Sequence, residues 1–299
     1  MRKILVFLWM VLFVIDIYST EKAGTTAFPF LKLYSGVRGA GFGENYVSVS
    51  GESDSIYYNP AGSLGSPKTG IFEYMIWNDV LSKSNITIIF PKNKANFGFG
   101  IDFINIPYEE REDETDFSYN EKNVYMGTLY FNYAREVNDN LKCGVNLKFI
   151  TQDLDREKSN GFAIDVGGIY KLTNKTDIGV AIQNIGKEFK DEDNDGLPLL
   201  VRIGQATKFY NGNFIVTNDF VYGFKDKTLS LGIGGEYKLS ENFYPRIGYK
   251  YTFTNNNLSL LNGLSFGFGV KYKKINFDYV FTSRDTLGAI HRVSLGYKF

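Results

Sequence analysis

The stretch that decides the fold is "LSFGFGVKY", Leu264–Tyr272. Leu264, Phe266, Phe268, Val270 and Tyr272 share one parity; Ser265, Gly267, Gly269 and Lys271 share the other. Successive side chains of an extended chain point to opposite faces, so this is a strand with one apolar and one polar face. "TLSLGIGGEYKL" (228–239) repeats the pattern, with Leu229, Leu231, Ile233, Tyr237 and Leu239 opposed by Thr228, Ser230, Glu236 and Lys238. So does the final "RVSLGYKF", where Val293, Leu295, Tyr297 and Phe299 oppose Arg292, Ser294, Gly296 and Lys298.

Working outward, the alternation predicts about fourteen strands, near 70–77, 84–91, 95–105, 123–135, 140–151, 161–171, 176–186, 199–210, 213–224, 228–239, 243–254, 261–272, 274–283 and 289–299. Most are near ten residues, the length of a tilted strand crossing a bilayer. Every other connection is short: "KNKA" (92–95), "VNDN" (137–140), "TNKT" (173–176), "YNGN" (210–213), "LSEN" (239–242) and "KK" (273–274). Those between are longer and polar, except "KDK" at 225–227. An up-and-down barrel inserted from one side of a membrane has this rhythm, with short periplasmic turns, long outer loops and the C-terminus on the periplasmic side. A soluble sandwich or solenoid also alternates, but its strands are shorter and a second sheet covers its apolar face. The fold class expected is therefore all-β: a transmembrane antiparallel up-and-down barrel of the outer membrane.

Composition agrees. The 299 residues include 26 Phe, 21 Tyr and 31 Gly against 7 Pro, with 33 basic and 33 acidic side chains. Aromatic residues at strand ends form the girdles of such barrels. Zero net charge offers no electrostatic case for a nucleic-acid partner. One cysteine, Cys143, excludes an internal disulfide, and with one histidine, His291, it is too few for a Cys/His zinc site. No G-x-S-x-G elbow is present, so no nucleophile–base pair supports an enzyme, and no cofactor is expected.

The opening "MRKILVFLWMVLFVIDIYSTEKAG" has the layout of a signal peptide over residues 1–23, a single anchor helix being the alternative. Between it and the first strand, residues 24–69 lack alternation and contain "SGESDSIYYNPAGSL" (50–64). Pro60 fixes φ and donates no hydrogen bond, Gly62 permits a reversal, and Asn59 can bond its own backbone. Tyr57, Tyr58, Asn59, Pro60, Ala61 and Gly62 thus form either a structural turn wedged by two tyrosines or a surface turn with incidental ones.

On the polar faces lie Asp102, Asp165, Gln183, Arg202, Lys208, Asp219, Glu236, Arg246, Lys250, Lys271, Asp278 and Arg292. Charges facing lipid are costly, so these must point into the lumen. They form either a paired network or the lining of a substrate path, and Asp102, Asp165, Arg202, Glu236, Arg246 and Lys271 are the candidate lining residues. "DEDNDG" resembles half of an EF-hand loop through Asp191, Asp193 and Asp195, but Arg202 stands where the closing glutamate belongs, so a solvated loop is expected and no metal is assigned. The acidic run at 109–116 reads as an outer loop.

The ending "HRVSLGYKF", with Val293, Leu295, Tyr297 and Phe299 in alternation, resembles the insertion signal of bacterial outer-membrane proteins, which implies the barrel-assembly machinery and outer-membrane lipid as partners. "SGVRGAGFGENYVSVSGESDSIYYNPAGSL", "DVGGIYKL", "IQNIG", "LPLLVRIG", "GGEYKL", "YPRIGYKY" and "HRVSLGYKF", in this order, are similar to the PorV/PorQ-type family, a branch of the FadL-like barrels. The family often carries "A-x-A-D-D" before the tyrosines; here "SVSGESDS" keeps Asp54 and displaces Glu52. The resemblance implies an inward-folded N-terminal plug, 24–69, and a barrel, 70–299. It implies one of two roles: passive uptake of hydrophobic small molecules gated by the plug, with Leu258, Leu260 and Leu261 as a capture surface, or docking of a secreted protein or secretion component on the outer loops.

Overall fold

The structure is a computed structural model that describes residues 26–78, 80–110, 120–155, 157–189, 196–253, 261–284 and 288–299. Its wall is one closed antiparallel sheet of fourteen strands, each paired to its sequence neighbours, with the first and last joined. These are β1 (Thr69–Trp77), β2 (Leu81–Lys92), β3 (Ala95–Glu110), β4 (Asn120–Asn138), β5 (Leu141–Asp153), β6 (Lys158–Lys171), β7 (Thr176–Glu188), β8 (Leu200–Phe209), β9 (Phe214–Gly223), β10 (Thr228–Tyr237), β11 (Phe243–Phe253), β12 (Leu264–Tyr272), β13 (Ile275–Ser283) and β14 (Ala289–Lys298). The seam between β1 and β14 runs unbroken from Thr69 opposite Lys298 to Trp77 opposite Ile290. Closure removes the open edges that would otherwise expose unpaired backbone groups to lipid.

Alternation sorts the side chains as the sequence predicts. Phe99, Ile101, Leu129, Phe149, Ile203, Phe266 and Leu295 are exposed on the outer wall, and Asp102, Arg202, Glu236 and Arg292 are buried within. An apolar belt of this extent suits lipid and not water. Among the described residues no helix is long and apolar enough to cross a membrane.

Two differences from the predicted strands have physical causes. The pairing of β3 with β4 continues from Ile106 opposite Val124 to Glu110 opposite Asn120, so Glu109 and Glu110 lie in strand and not in loop. Their polar side chains end the apolar alternation without ending the backbone ladder, and Lys122 of β4 pairs with Glu110 at 2.8 Å. The second difference is in β7: Ile164 faces Ile185 but Val166 faces Ile182, leaving two residues opposite one. This β-bulge turns both Gln183 and Asn184 inward, with Asn184 at φ 63°, and a strict period of two cannot register it. The rest of the acidic run from 111, Asp191, Asp193 and Asp195, Leu258, Leu260 and the leader over 1–23 lie outside the described residues.

Residues 28–66 add no strand. They form a 3₁₀ turn (Pro29–Lys32), a five-residue helix α1 (Val37–Gly41) and two further 3₁₀ turns (Ser53–Tyr57 and Pro60–Ser63), and most of their side chains are buried. Their partners lie on the inner faces of strands all round the barrel, so the segment occupies the lumen.

Candidate functional site

The lumen is a set of contacts between this segment and the wall, best followed from the long-loop end to the short-turn end. At the long-loop end Phe28 and Leu31 pack with Ile150, Ala163 and Leu197 in an apolar cluster. Just below, the chain turns at Glu44, whose carboxylate meets Lys250 at 2.7 Å, Arg284 at 3.5 Å and Arg292 at 3.7 Å. Burial opposes ionisation of Glu44, but the three cations outweigh it and hold the carboxyl well below the usual range.

Arg202 is fully buried and, among the described residues, forms no ion pair with a carboxylate; it donates to Gln183 at 2.8 Å and to the Glu44 carbonyl at 3.2 Å, and lies 4.2 Å from the centre of the Tyr34 ring. The bulge supplies that Gln183, which also donates to the Tyr57 carbonyl at 2.9 Å. Its neighbour Asn184 accepts from Lys148 at 2.8 Å and donates to the Pro198 carbonyl at 2.9 Å. "IQNIG" is therefore a device for turning two amides inward, a role hidden from parity counting.

At mid-height, Asp102 receives Lys83 at 2.8 Å, Ser35 at 2.9 Å and Asn85 at 2.6 Å. Asp165 receives Lys148 at 2.7 Å and Asn146, which in turn holds the Ile56 carbonyl at 2.8 Å. Asp219 accepts the backbone N–H groups of Tyr46 and Val47 at 2.8 and 3.0 Å.

The Asn-Pro-Ala-Gly turn sits against β4, β5 and β6. Asn59 accepts from the Ala61 N–H at 3.0 Å and donates to the carbonyls of Val47 and Gly168 at 2.7 and 3.1 Å. A Cβ at Gly144 would lie 2.4 Å from the Pro60 carbonyl carbon, and one at Gly248 2.0 Å from the Gly43 nitrogen. Glycine on the inner wall thus sets how closely the segment approaches. Tyr57 meets Thr87 at 2.6 Å and stands edge-on to Tyr130, while Tyr58 packs between Tyr34 and Tyr46.

At the short-turn end, Arg38 of α1 forks onto Glu236 at 2.6 and 2.9 Å and reaches Glu52 at 2.5 Å. Arg246 holds the same Glu236 and Asp278, each at 2.5 Å. Lys271 lies beside them, 4.6 Å from the Tyr244 ring centre. Asp54 and Glu73 line a small polar cavity here, with Glu73 accepting from the Gly36 N–H at 2.6 Å. Burial, then the nearby Glu52, raises the Asp54 carboxyl to about 7 against the pull of Arg38.

Of the six candidate lining residues, Glu236, Arg246 and Lys271 come together, whereas Asp102, Asp165 and Arg202 sit in separate clusters. Sequence reading left out Glu73, Lys83 and Lys148, all findable by the same parity, and Arg38 and Glu44, for which no periodic signal exists. Val293, Leu295, Tyr297 and Phe299 are exposed on the outer wall, and the Phe299 N–H donates to the Lys68 carbonyl at 3.0 Å. One concavity lies outside the lumen. It is an apolar hollow of about 510 Å³ on the outer wall, among Ile86, Phe99, Leu129, Leu147 and Phe149.

No family model and no curated protein matches the chain. Among solved structures it is similar to the toluene transporter TodX of Pseudomonas putida, at 13% identity over 89% of this chain and 99% of that one, with TM-score 0.66. It is likewise similar to the monoaromatic hydrocarbon channel CymD, at 14% identity over 91% and 99%, TM-score 0.66. A FadL homologue of Pseudomonas aeruginosa matches at 11% identity over 89% and 98%, TM-score 0.60. At such identities the likeness is one of fold: this chain is a closed fourteen-stranded barrel like those of FadL-type channels.

Proposed function

We propose that this protein is an outer-membrane barrel for passive uptake of hydrophobic small molecules, gated by movement of its lumenal segment as a plug. The observation that carries the reading is the segment's attachment: among the described residues, the hydrogen bonds seen between residues 28–67 and the strands each use a side chain. Such contacts exchange one at a time, whereas a strand added to the wall would have to be unzipped. The likeness in fold to hydrocarbon channels supports the substrate class. β3 is paired to β2 from Ala95 to Asn105 and to β4 from Ala95 to Glu110 without a register shift, which favours passage through the lumen over a gap at that strand.

The test is a tether. Lys32 of the segment, near its Phe28 end, pairs with Asp226 of the connection between β9 and β10. With Cys143→Ser, the pair Lys32→Cys and Asp226→Cys is closed by oxidation or a short thiol cross-linker. Toluene and fatty-acid flux into liposomes is expected from the open form, to fall to the level of empty liposomes on closure, and to return after release. Flux unchanged by a complete tether overturns the gating, and no flux from a folded, open barrel overturns the uptake.

A second reading follows the PorV/PorQ resemblance and gives the work to the outer loops, which would dock a secreted protein while the lumen stays shut. The buried ion pairs of Glu44 with Lys250 and of Arg38 with Glu236 support it, since each ties the segment to the wall and breaking a buried pair is costly. Under this reading neither form conducts.

A further inference from the structure

We propose that the short-turn rim, from β12 round through β1 to β2, binds the phosphate headgroups of anionic phospholipids. Lys68, Lys92, Lys273 and Lys274 are exposed there, on strands or turns that are neighbours in the closed sheet. Lys68 lies 5.7 and 5.1 Å from the ring centres of Phe90 and Phe299, Lys273 lies 5.3 Å from Tyr272, and Lys274 lies 5.8 Å from Tyr297. All four rings are exposed on the outer wall. The ammonium groups of Lys68, Lys273 and Lys274 are thus directed toward the membrane and not the lumen, at the level where an aromatic girdle gives way to headgroups, and Lys92 shares the strand parity of the exposed Phe90.

The arc is free of carboxylate side chains: residues 66–72, 90–97, 270–277 and 294–299 contain no Asp or Glu. Lys271 and Lys298 lie on the opposite, polar faces of β12 and β14. The remainder of the rim differs. Glu136 and Asp139, Asp177, and Glu241 stand at or beside three of its four short turns, where Glu136 takes Lys94 at 3.4 Å and Glu241 takes Lys238 at 2.7 Å. Among the described residues, no ion pair is seen for Lys68, Lys92, Lys273 or Lys274. Unneutralised cations beside lipid-facing rings fit a ligand with an anionic head and an apolar body. An acidic polypeptide would satisfy the charges but leave the rings unused. The inference is independent of what crosses the lumen.

The full chain would be purified with equal amounts of phosphatidylglycerol and phosphatidylethanolamine, and the retained lipid counted by native mass spectrometry. The wild type is expected to prefer phosphatidylglycerol, and K68Q/K92Q/K273Q/K274Q to lose about tenfold of that preference. K171Q/K175Q/K208Q/K238Q, elsewhere on the rim, is expected to keep it. Heat-modifiable gel mobility reports that each variant folds. Should the first variant not fold, raising salt from about 50 to about 500 mM on the wild type must release phosphatidylglycerol selectively. No preference in the wild type, an equal fall in both variants, or retention indifferent to salt overturns the proposal. So does a poly-glutamate peptide that binds the wild type but not the first variant while phosphatidylglycerol is not preferred, which reassigns the arc to an acidic polypeptide.

Discussion

The wall and the segment inside it are held by opposite means. The wall is a continuous backbone ladder whose outer side chains need only be apolar, whereas the segment depends on particular side chains reaching it from strands far away in the chain. Arg38 and Glu236 are 198 residues apart, and Glu44 and Arg284 are 240 apart. The difference teaches that the wall tolerates exchange of one apolar residue for another, while the lumen is sensitive to loss of a single charge.

The sharpest way to separate the two is Glu236→Gln. It leaves Arg38 with Glu52 and Arg246 with Asp278 as their remaining carboxylates, and costs about 3 kcal/mol, the low end for breaking a buried ion pair. Trypsin is expected to cut at Arg38 in this variant and not in the wild type, while the circular dichroism of the sheet is unchanged. Leu129→Lys, on the exposed outer face of β4, inverts the outcome: it destabilises the wall by about 2–4 kcal/mol through contact with lipid. Its urea midpoint of unfolding in vesicles should fall without prior exposure of the segment.

Smaller in effect is Asn59→Ala, which deprives the Val47 and Gly168 carbonyls of a donor at a cost of about 1–3 kcal/mol. Hydrogen exchange at the Ala61 N–H, which loses its acceptor, should speed up, with that of β10 unaltered. The last is a pH dependence. Asp54 binds its proton more tightly in the folded segment than in the unfolded chain, with its carboxyl raised from 3.8 to about 7. Its contribution to stability is therefore greatest below about pH 4, declines as pH rises to about 7 and stays low above that. Asp54→Asn is expected to flatten this slope in a protease-protection profile, against a wild type better protected at pH 5 than at pH 8. An unchanged slope would assign it to other groups.

The same division governs what could be read from sequence. Strand number and the inward placement of Asp102, Arg202 and Glu236 follow from parity, since lipid on one side and charge on the other enforce a period of two. That rule fails where the environment changes. Glu109 and Glu110 continue β3 with polar residues, and Gln183 with Asn184 breaks parity by a bulge. The segment has no period at all, and its short turns take their shape from partners that no local window contains. One sign of its path was present: glycines on the inner faces, such as Gly144 and Gly248, whose missing side chains leave room for Pro60 and Gly43.

The course of that segment has a mechanical consequence. Phe28 packs at the long-loop mouth against Ile150 and Ala163, while the other end runs into Thr69 at the opposite rim, where β1 meets β14. A chain that traverses a closed ring from mouth to mouth is a thread and not a cork. It can slacken from its Phe28 end or slide by a few residues, but with Thr69 stitched into the seam it cannot be drawn out through the far mouth. Reversible motion is therefore confined to the stretch that the seam does not hold.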